Sequence, residues 1–263
     1  MKNKCGYNVA MKDSQEYTDK KAFFDSIITL YGRNVVTEIL DDETIEIHKL
    51  HLATSNRDEG VILEIKEMAE RRDVEIKMHS KEQLSRISKN AKQDQGVAID
   101  IIAPNYQNSE KIEEKLGDAF RLLALDGVQN PQNLGMIVRS AAAGKIDGII
   151  LPTNSSAKIS PVVIKASAGT LFKIPIFYCK TLEAPLAALA ETSEIYALSS
   201  HAKDDIYSVK TGKRVIFVLG NESEGVSPAV SRLCNQSLAI PMQRGVESLN
   251  VAVTAALLAF MQN

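Results

Sequence analysis

Apolar and polar positions change rhythm several times along this chain, and the changes divide it. Residues 1–22 are polar and aperiodic, the pattern of a flexible arm. A compact unit is predicted over 23–103. DSIITLYGRNVVTEIL (25–40) spaces its apolar residues as a helix, EIHKLHLAT (46–54) reads as a strand, and VILEIKEMAERRD (61–73) is a charged helix. VEIKMHS (74–80) and GVAIDIIA (96–103) add further strands, so this unit is a small α/β layer. PNYQNSEKIEEKLGDAF (104–120) is polar and apolar by turns and predicts a linker with a short helix.

From Arg121 onward short apolar runs recur: RLLALDGV, GIILP, KIPIFY, EIYALSS, RVIFVLG and SLAIPM, with helical spacing between them. Short buried strands alternating with helices predict a mostly parallel sheet covered on both faces. Ser160-Pro161 and Ser227-Pro228 each place a Ser at an N-cap and a Pro at the first helical position. The closing segment, SLNVAVTAALLAFMQ, is apolar all round and rich in small residues, which predicts a helix buried in the domain or against a partner.

With 263 residues, 44% hydrophobic and 24% charged, the chain has the profile of a soluble globular protein with a substantial core. Its net charge of −2 advertises no global basic field for nucleic acid, although a local basic cleft would not show in the total. Cys5, Cys179 and Cys234 are scattered and odd in number, which fits neither a disulfide framework nor a zinc site and suits a reducing compartment. The N-terminus lacks a signal-peptide apolar stretch, and no apolar run approaches bilayer length, so a cytoplasmic protein is expected.

An open parallel sheet binds its ligand beyond the carboxyl ends of its strands. No GxGxxG follows a strand there and no GxxxxGK[ST] occurs, which argues against dehydrogenase and kinase chemistry. His48, His51, His79 and His201 form no metal-ligand spacing, so they read as structural and no metal is expected. Three strand ends carry dense polar clusters instead: GVQNPQNLGMIVRSAAAG (127–144), NESEGVSP (221–228) and MQRGVESLNVAV (242–253). Each runs from a buried strand into a helix, where exposed backbone N–H groups favour an anionic or carboxylate ligand. Any one of them is compatible with ordinary turn chemistry. The order and spacing of all three are far more specific.

Taken together, they resemble the sequence motifs of the SpoU/TrmH branch of the SPOUT methyltransferases. Asn130-Pro131-Gln132-Asn133-Leu134-Gly135 through Arg139 is similar to the first motif. Leu219-Gly220-Asn221-Glu222-Ser223-Glu224-Gly225 is similar to the second, and Ile240-Pro241-Met242 with Glu247-Ser248-Leu249-Asn250-Val251 to the third. The match covers 121–263. Tyr31-Gly32-Arg33-Asn34 with Gln95-Gly96-Val97 resembles the ribosomal-protein-like substrate-binding domain that often precedes the catalytic domain.

The resemblance implies an α/β catalytic domain with a C-terminal trefoil knot, a topology otherwise close to absent. It implies RNA as substrate and S-adenosylmethionine as methyl donor to a ribose 2′-hydroxyl. Gly220, Ile240 and Leu249 would contact that cofactor largely through backbone, and Leu198 and Ser199 would line the same pocket. Arg139 would sit beside the target hydroxyl and its phosphate, aided by Asn133 from a preceding loop. A guanidinium stays protonated in proteins, so Arg139 is read as an electrostatic, phosphate-orienting group, with the general base left open. Glu222 would hold Arg139 or neighbouring loops. Ser248 and Asn250 would order the last loop and contact the ribose, with Ser248 also suited to an N-cap. Arg244 stands where many relatives have a small residue, and reads equally as a phosphate contact or a solvated charge. The family pairs two-fold, and the apolar last helix suits such a homodimer.

Two rival readings are weaker. A nucleotide-binding transferase needs a phosphate loop that is missing. A non-catalytic RNA-binding module would have lost Asn133, Arg139, Glu222 or Asn250, and all are present. Within the family, the attached domain favours ribosomal RNA of the large subunit, with guanosine as the preferred target. A transfer RNA, or a ribosomal RNA methylated as protection against an antibiotic, is the alternative.

Overall fold

A computed structural model describes residues 23–24, 26–89, 93–221 and 223–262. The predicted arm, 1–22, and Glu222 lie outside the described residues.

The stretch predicted as one helix from 25 to 40 is divided. β1 (Ile27–Tyr31) is a strand, and α1 (Arg33–Asp41) follows it. Ile27, Ile28 and Thr29 are β-branched and fit a pleated surface better than a helix. Gly32 then turns the chain with φ 98°, a value a side chain resists. β2 (Ile47–Ala53), α2 (Val61–Arg71), β3 (Ile76–His79) and β4 (Val97–Ile102) follow the predicted pattern. Before β4 comes a helix that the apolar spacing did not reveal, α3 (Lys81–Ser88). Its signal lies at its start, where Ser80 and Gln83 form a reciprocal capping box. The strands pair in the order β1-β4-β2-β3, antiparallel except for β2 with β3. Leu50, Leu52, Val97, Ile99 and Ile101 bury one face beneath α1 and α2, and Ala53 and Ala98 meet Leu84 of α3 on the other.

Two polar features brace this unit. The Arg72 guanidinium donates to the carbonyls of Ile39, Leu40, Asp42 and Ile45 at 2.6–3.1 Å, so one side chain satisfies the open carboxyl end of α1. Arg72→Met should therefore lower unfolding free energy by about 3 kcal/mol, since partly buried carbonyls lose a charged donor. A denaturant midpoint within error of wild type would show the contact to be idle. The second feature spans the sheet. Thr29 Oγ1 donates to Asp100, Asp100 is bonded to His51 Nε2 at 3.0 Å, and His51 Nδ1 lies 2.9 Å from His79 Nε2. Burial works against the charge of Asp100, yet the His51 and Thr29 bonds hold its carboxyl below the ordinary range. His51 and His79 thus have hydrogen-bond partners within this unit.

The segment expected to be a linker contributes to the next sheet. Its Tyr106–Asn108 forms β5, an edge strand parallel to β8, and Ile112–Leu116 forms the short helix α4. The remaining strands are β6 (Phe120–Leu125), β7 (Gly148–Pro152), β8 (Ile176–Cys179), β9 (Glu194–Leu198), β10 (Asp204–Asp205), β11 (Arg214–Leu219) and β12 (Gln236–Ala239). They lie in the order β10-β12-β9-β11-β6-β7-β8-β5, every pair parallel. Helices α5 (Pro131–Ala143), α6 (Pro161–Ala166), α7 (Glu183–Leu189), α8 (Pro228–Ser231) and α9 (Val251–Phe260) cover it. Strand periodicity sorts the core. Leu123, Leu125, Phe217 and Leu219 face α5, α6 and α9, while Leu122, Ala124, Ile216 and Val218 face α4, α7 and α8.

α5 and α9 run side by side in the same direction. Asn133 and Asn250 meet at their starts, and Lys145 N donates to Ala259 O at their ends. Gly144 has no room for a side chain against the Ala259 backbone, which lets the two helix ends close. Both predicted serine–proline starts begin helices, but only Ser227 caps, accepting from Val230 N. Ser160 makes no cap bond, and its buried Oγ has no hydrogen-bond partner among the described residues.

Cys179 and Cys234 are free thiols. Burial pushes them up to about 12 and about 11, respectively. A raised thiol pKa favours the folded state below the ordinary thiol value, and that contribution fades as pH climbs above it. At pH 8 both should resist alkylation until the protein unfolds, because the thiolate is the nucleophile. Peptide mapping after brief iodoacetamide treatment checks this; labelling of either cysteine in native protein would contradict the burial argument.

Candidate functional site

Beyond the carboxyl ends of β9, β11 and β12 lies a cavity of about 1010 Å³. It forms on the side of the sheet where the chain, having laid β7 and β8 to one side of β6, returns to place β11 and β9 on the other. Such reversals leave a crevice between diverging loops. Its walls include Leu198, Ser199, Gly220, Ile240 and Leu249, so the five expected cofactor residues line one space. Ser248 joins them, as do Val251 and Thr254 from the first turn of α9.

The shape of the second cluster depends on Gly220. A Cβ there would overlap the Gly225 carbonyl and the Val226 amide, because loop 220–226 folds back on itself. The reason for glycine is therefore room for the loop's own backbone. Asn221 N and O both bond Gly225, at 3.0 and 2.9 Å, and close the turn.

The lining is acidic. Asp204, Asp205, Glu224 and Glu247 line the cavity together with Lys203 and His201. Four carboxylates against one lysine repel a polyphosphate and favour a ligand carrying positive charge. Leu198, Leu219, Ile240 and Leu249 supply apolar surface for a flat ring. A sulfonium nucleoside such as S-adenosylmethionine combines those two properties, so the residues present fit it. Among the described residues, no group of three His, Cys, Asp or Glu side chains is placed to hold a metal.

The substrate-side residues are arranged differently from expectation. Asn133 lies inside the first turn of α5, not in the loop before it. The loop-to-helix boundary falls at Asn130, whose side chain accepts from Gln132 N and Asn133 N ahead of Pro131. That Asn-Pro pair carries the same start signal as the serine–proline pairs. Asn250 Nδ2 donates directly to Asn133 Oδ1 at 3.2 Å, so the two touch without a substrate between them. Asn250, not Ser248, is the N-cap of α9, accepting from Ala252 N at 2.8 Å. Ser248 is exposed in the run 243–250, all of it exposed, which contains Arg244 at φ 59°. Arg139 is exposed on the third turn of α5, about 9 Å along the axis from Asn133. It does not line the cavity. Glu222, expected to hold Arg139, lies outside the described residues.

Comparison with known proteins bears on the whole chain. The SpoU rRNA Methylase family matches residues 121–260, and a family described as RNA 2'-O ribose methyltransferase substrate binding matches residues 29–107. The 23S rRNA (guanosine-2'-O-)-methyltransferase RlmB of Xylella fastidiosa is 29% identical over 88% of this chain and 94% of its own length. The protein of that name from Nitrosomonas europaea is 28% identical over 88% and 89%. Among solved structures, an AdoMet-bound rRNA methyltransferase from Sinorhizobium meliloti superposes with a TM-score of 0.57 at 22% identity. It covers 93% of this chain and 88% of that one, and shares the fold.

Proposed function

Since the chain belongs to the SpoU rRNA methylase family, we propose that it methylates a ribose 2′-hydroxyl of large-subunit ribosomal RNA, on guanosine, with S-adenosylmethionine as methyl donor. The observation that carries this reading is the acidic cavity at three strand ends, walled by Leu198, Ser199, Gly220, Ile240 and Leu249. These five residues would hold the cofactor. When bound, the cofactor supplies a methyl group already activated by its positive sulfur.

The chain's own residues then have to align and exclude. The bonded pair Asn133 and Asn250 would offer amide donors and acceptors to the ribose, Asn250 standing between the cavity-lining residues Leu249 and Val251. Arg139 orients the neighbouring phosphate and stabilises the negative charge on the 2′-oxygen as its proton leaves to solvent. Ser248 contacts the ribose from the exposed loop. Residues 23–103 add RNA affinity and 121–263 carry the chemistry, in the cytoplasm.

A C-terminal trefoil knot belongs to the same proposal, and the path of the chain supports it. β12 lies beyond β9, yet α9 packs on α5, the helix that joins β6 to β7. The intervening residues 240–250 must pass the end of β11, where loop 220–226 lies. A homodimer is also proposed. Val253 and Phe260 are 43% and 59% exposed and share one face of α9 with Leu257, and Met136 of the neighbouring α5 is also 43% exposed. The chain should sediment as a dimer at micromolar concentration, and Phe260→Asp should make it monomeric. A monomeric wild type would refute the interface.

Titration calorimetry with and without chelator tests the cofactor. Binding that needs added metal, or no binding, would sink the reading. Ribose methylation mapped in ribosomal RNA from cells with and without the protein tests the substrate, where an unchanged map of the large subunit would count against it.

A further inference from the structure

Loop 220–226 on the cofactor side and the turn Asp126–Gly127 on the substrate side belong to different strands, β11 and β6. Two side chains lace them together. The Asp126 carboxylate accepts from Ser227 N at 2.7 Å. Asn221 Nδ2 donates to Gly127 O at 3.0 Å. The other end of the same carboxamide accepts from Ser223 N at 2.9 Å and from Glu224 N at 3.4 Å, bracing the loop from within. Gly127 stands at φ 77°, and a side chain there would come within 3.5 Å of the Asn221 Cβ, so the two backbones are already close. Three residues beyond Gly127, Asn130 caps α5 and sets where Asn133 begins. One carboxamide therefore spans the cofactor wall and the segment that aims the substrate-side asparagine.

We propose that Asn221 is a positioning residue for methyl transfer: its side chain clasps the cofactor loop to the Gly127 turn and so sets the offset between methyl donor and ribose. This rests on the reading of the cavity as the S-adenosylmethionine site. An amide is suited to the task because it accepts within its own loop and donates across to the other at once. A carboxylate of the same size keeps the first role and turns an oxygen toward the Gly127 carbonyl in the second. Alignment errors near 1 Å cost on the order of a hundredfold in rate without weakening ground-state binding.

Asn221→Asp separates the two roles in the full-length protein. The dissociation constant for S-adenosylmethionine should stay within about threefold of wild type, while single-turnover methylation of the RNA falls by about tenfold to a hundredfold. Asn221→Ser provides the second variant, adding no charge beside Glu224. Its hydroxyl can cap the loop but is too short for Gly127, so the same split is expected. Turnover unchanged in either folded variant would overturn the proposal. Cofactor affinity falling in step with the rate would overturn it too, since Asn221 would then only fold its own loop. A wild-type protein that bound no S-adenosylmethionine would remove the underlying reading of the cavity, a result distinct from either.

Discussion

Gly220→Ala is expected to weaken S-adenosylmethionine binding by up to roughly a hundredfold by calorimetry while leaving the protein folded. The methyl group would overlap the Gly225 carbonyl and the Val226 amide, which are backbone and cannot rotate away. Gly220 follows β11, whose residues from Val215 to Leu219 are buried and paired with β6 and β9. The strand is held on both sides, so the loop must yield instead. Overpacking of this kind costs about 1–3 kcal/mol. Borne by the cofactor wall alone, the upper value corresponds to roughly a hundredfold in affinity. Gly220→Val should be worse. Gly225→Ala is the control in the same loop. A side chain there meets open space, and only the φ of 70° is unfavourable, at about 1–2 kcal/mol. That variant should keep most of its affinity. Equal losses at the two glycines would mean that loop flexibility governs binding, and that room at Gly220 does not.

Arg139→Ala should reduce methyl transfer on the order of a hundredfold or more while sparing fold and cofactor affinity. Its side chain is exposed on α5 and does not line the cavity, so nothing in the core or the cofactor wall depends on it. What it offers is a fixed positive fork on the same helix as Asn133. Arg139→Lys keeps the charge and loses the planar pair of donors, so it should restore little. If Arg139 were only a surface charge, its removal would cost about 0–1 kcal/mol of stability and leave the chemistry alone. Near-normal single-turnover methylation by Arg139→Ala would establish that simpler role and move the substrate-orienting function to Asn133 and Asn250.

Much of the parallel sheet was legible before any coordinates, because each strand is a short run of buried residues with turn chemistry behind it. RVIFVLG runs one residue past the end of β11, and RLLALDGV three residues past the end of β6, into the turn. Two short strands were less legible. Ile27–Tyr31 has too few positions to separate a strand from a helix by periodicity, and only pairing with β4 decides it. Tyr106–Asn108 is a strand because β8 offers it an edge, which no local pattern records. α3 was missed because its composition is polar and its evidence is a capping box of two side chains.

At the site the division is similar. The sequence by itself determined which residues stand at strand ends and which can cap a helix, since both are set by neighbours a few positions away. From the motifs it assigned Leu198, Ser199, Gly220, Ile240 and Leu249 to one pocket, and the structure places them around one cavity. The tertiary structure alone decided that Asn250 bonds Asn133 across 117 residues and that Asn221 reaches Gly127 across 94. It also decided that Gly220 is required by the loop's own backbone. Each depends on strand order and on the route of the chain past β11. Those are settled by burying every apolar face at once, so the contacts they create leave no mark on the residues nearby in sequence.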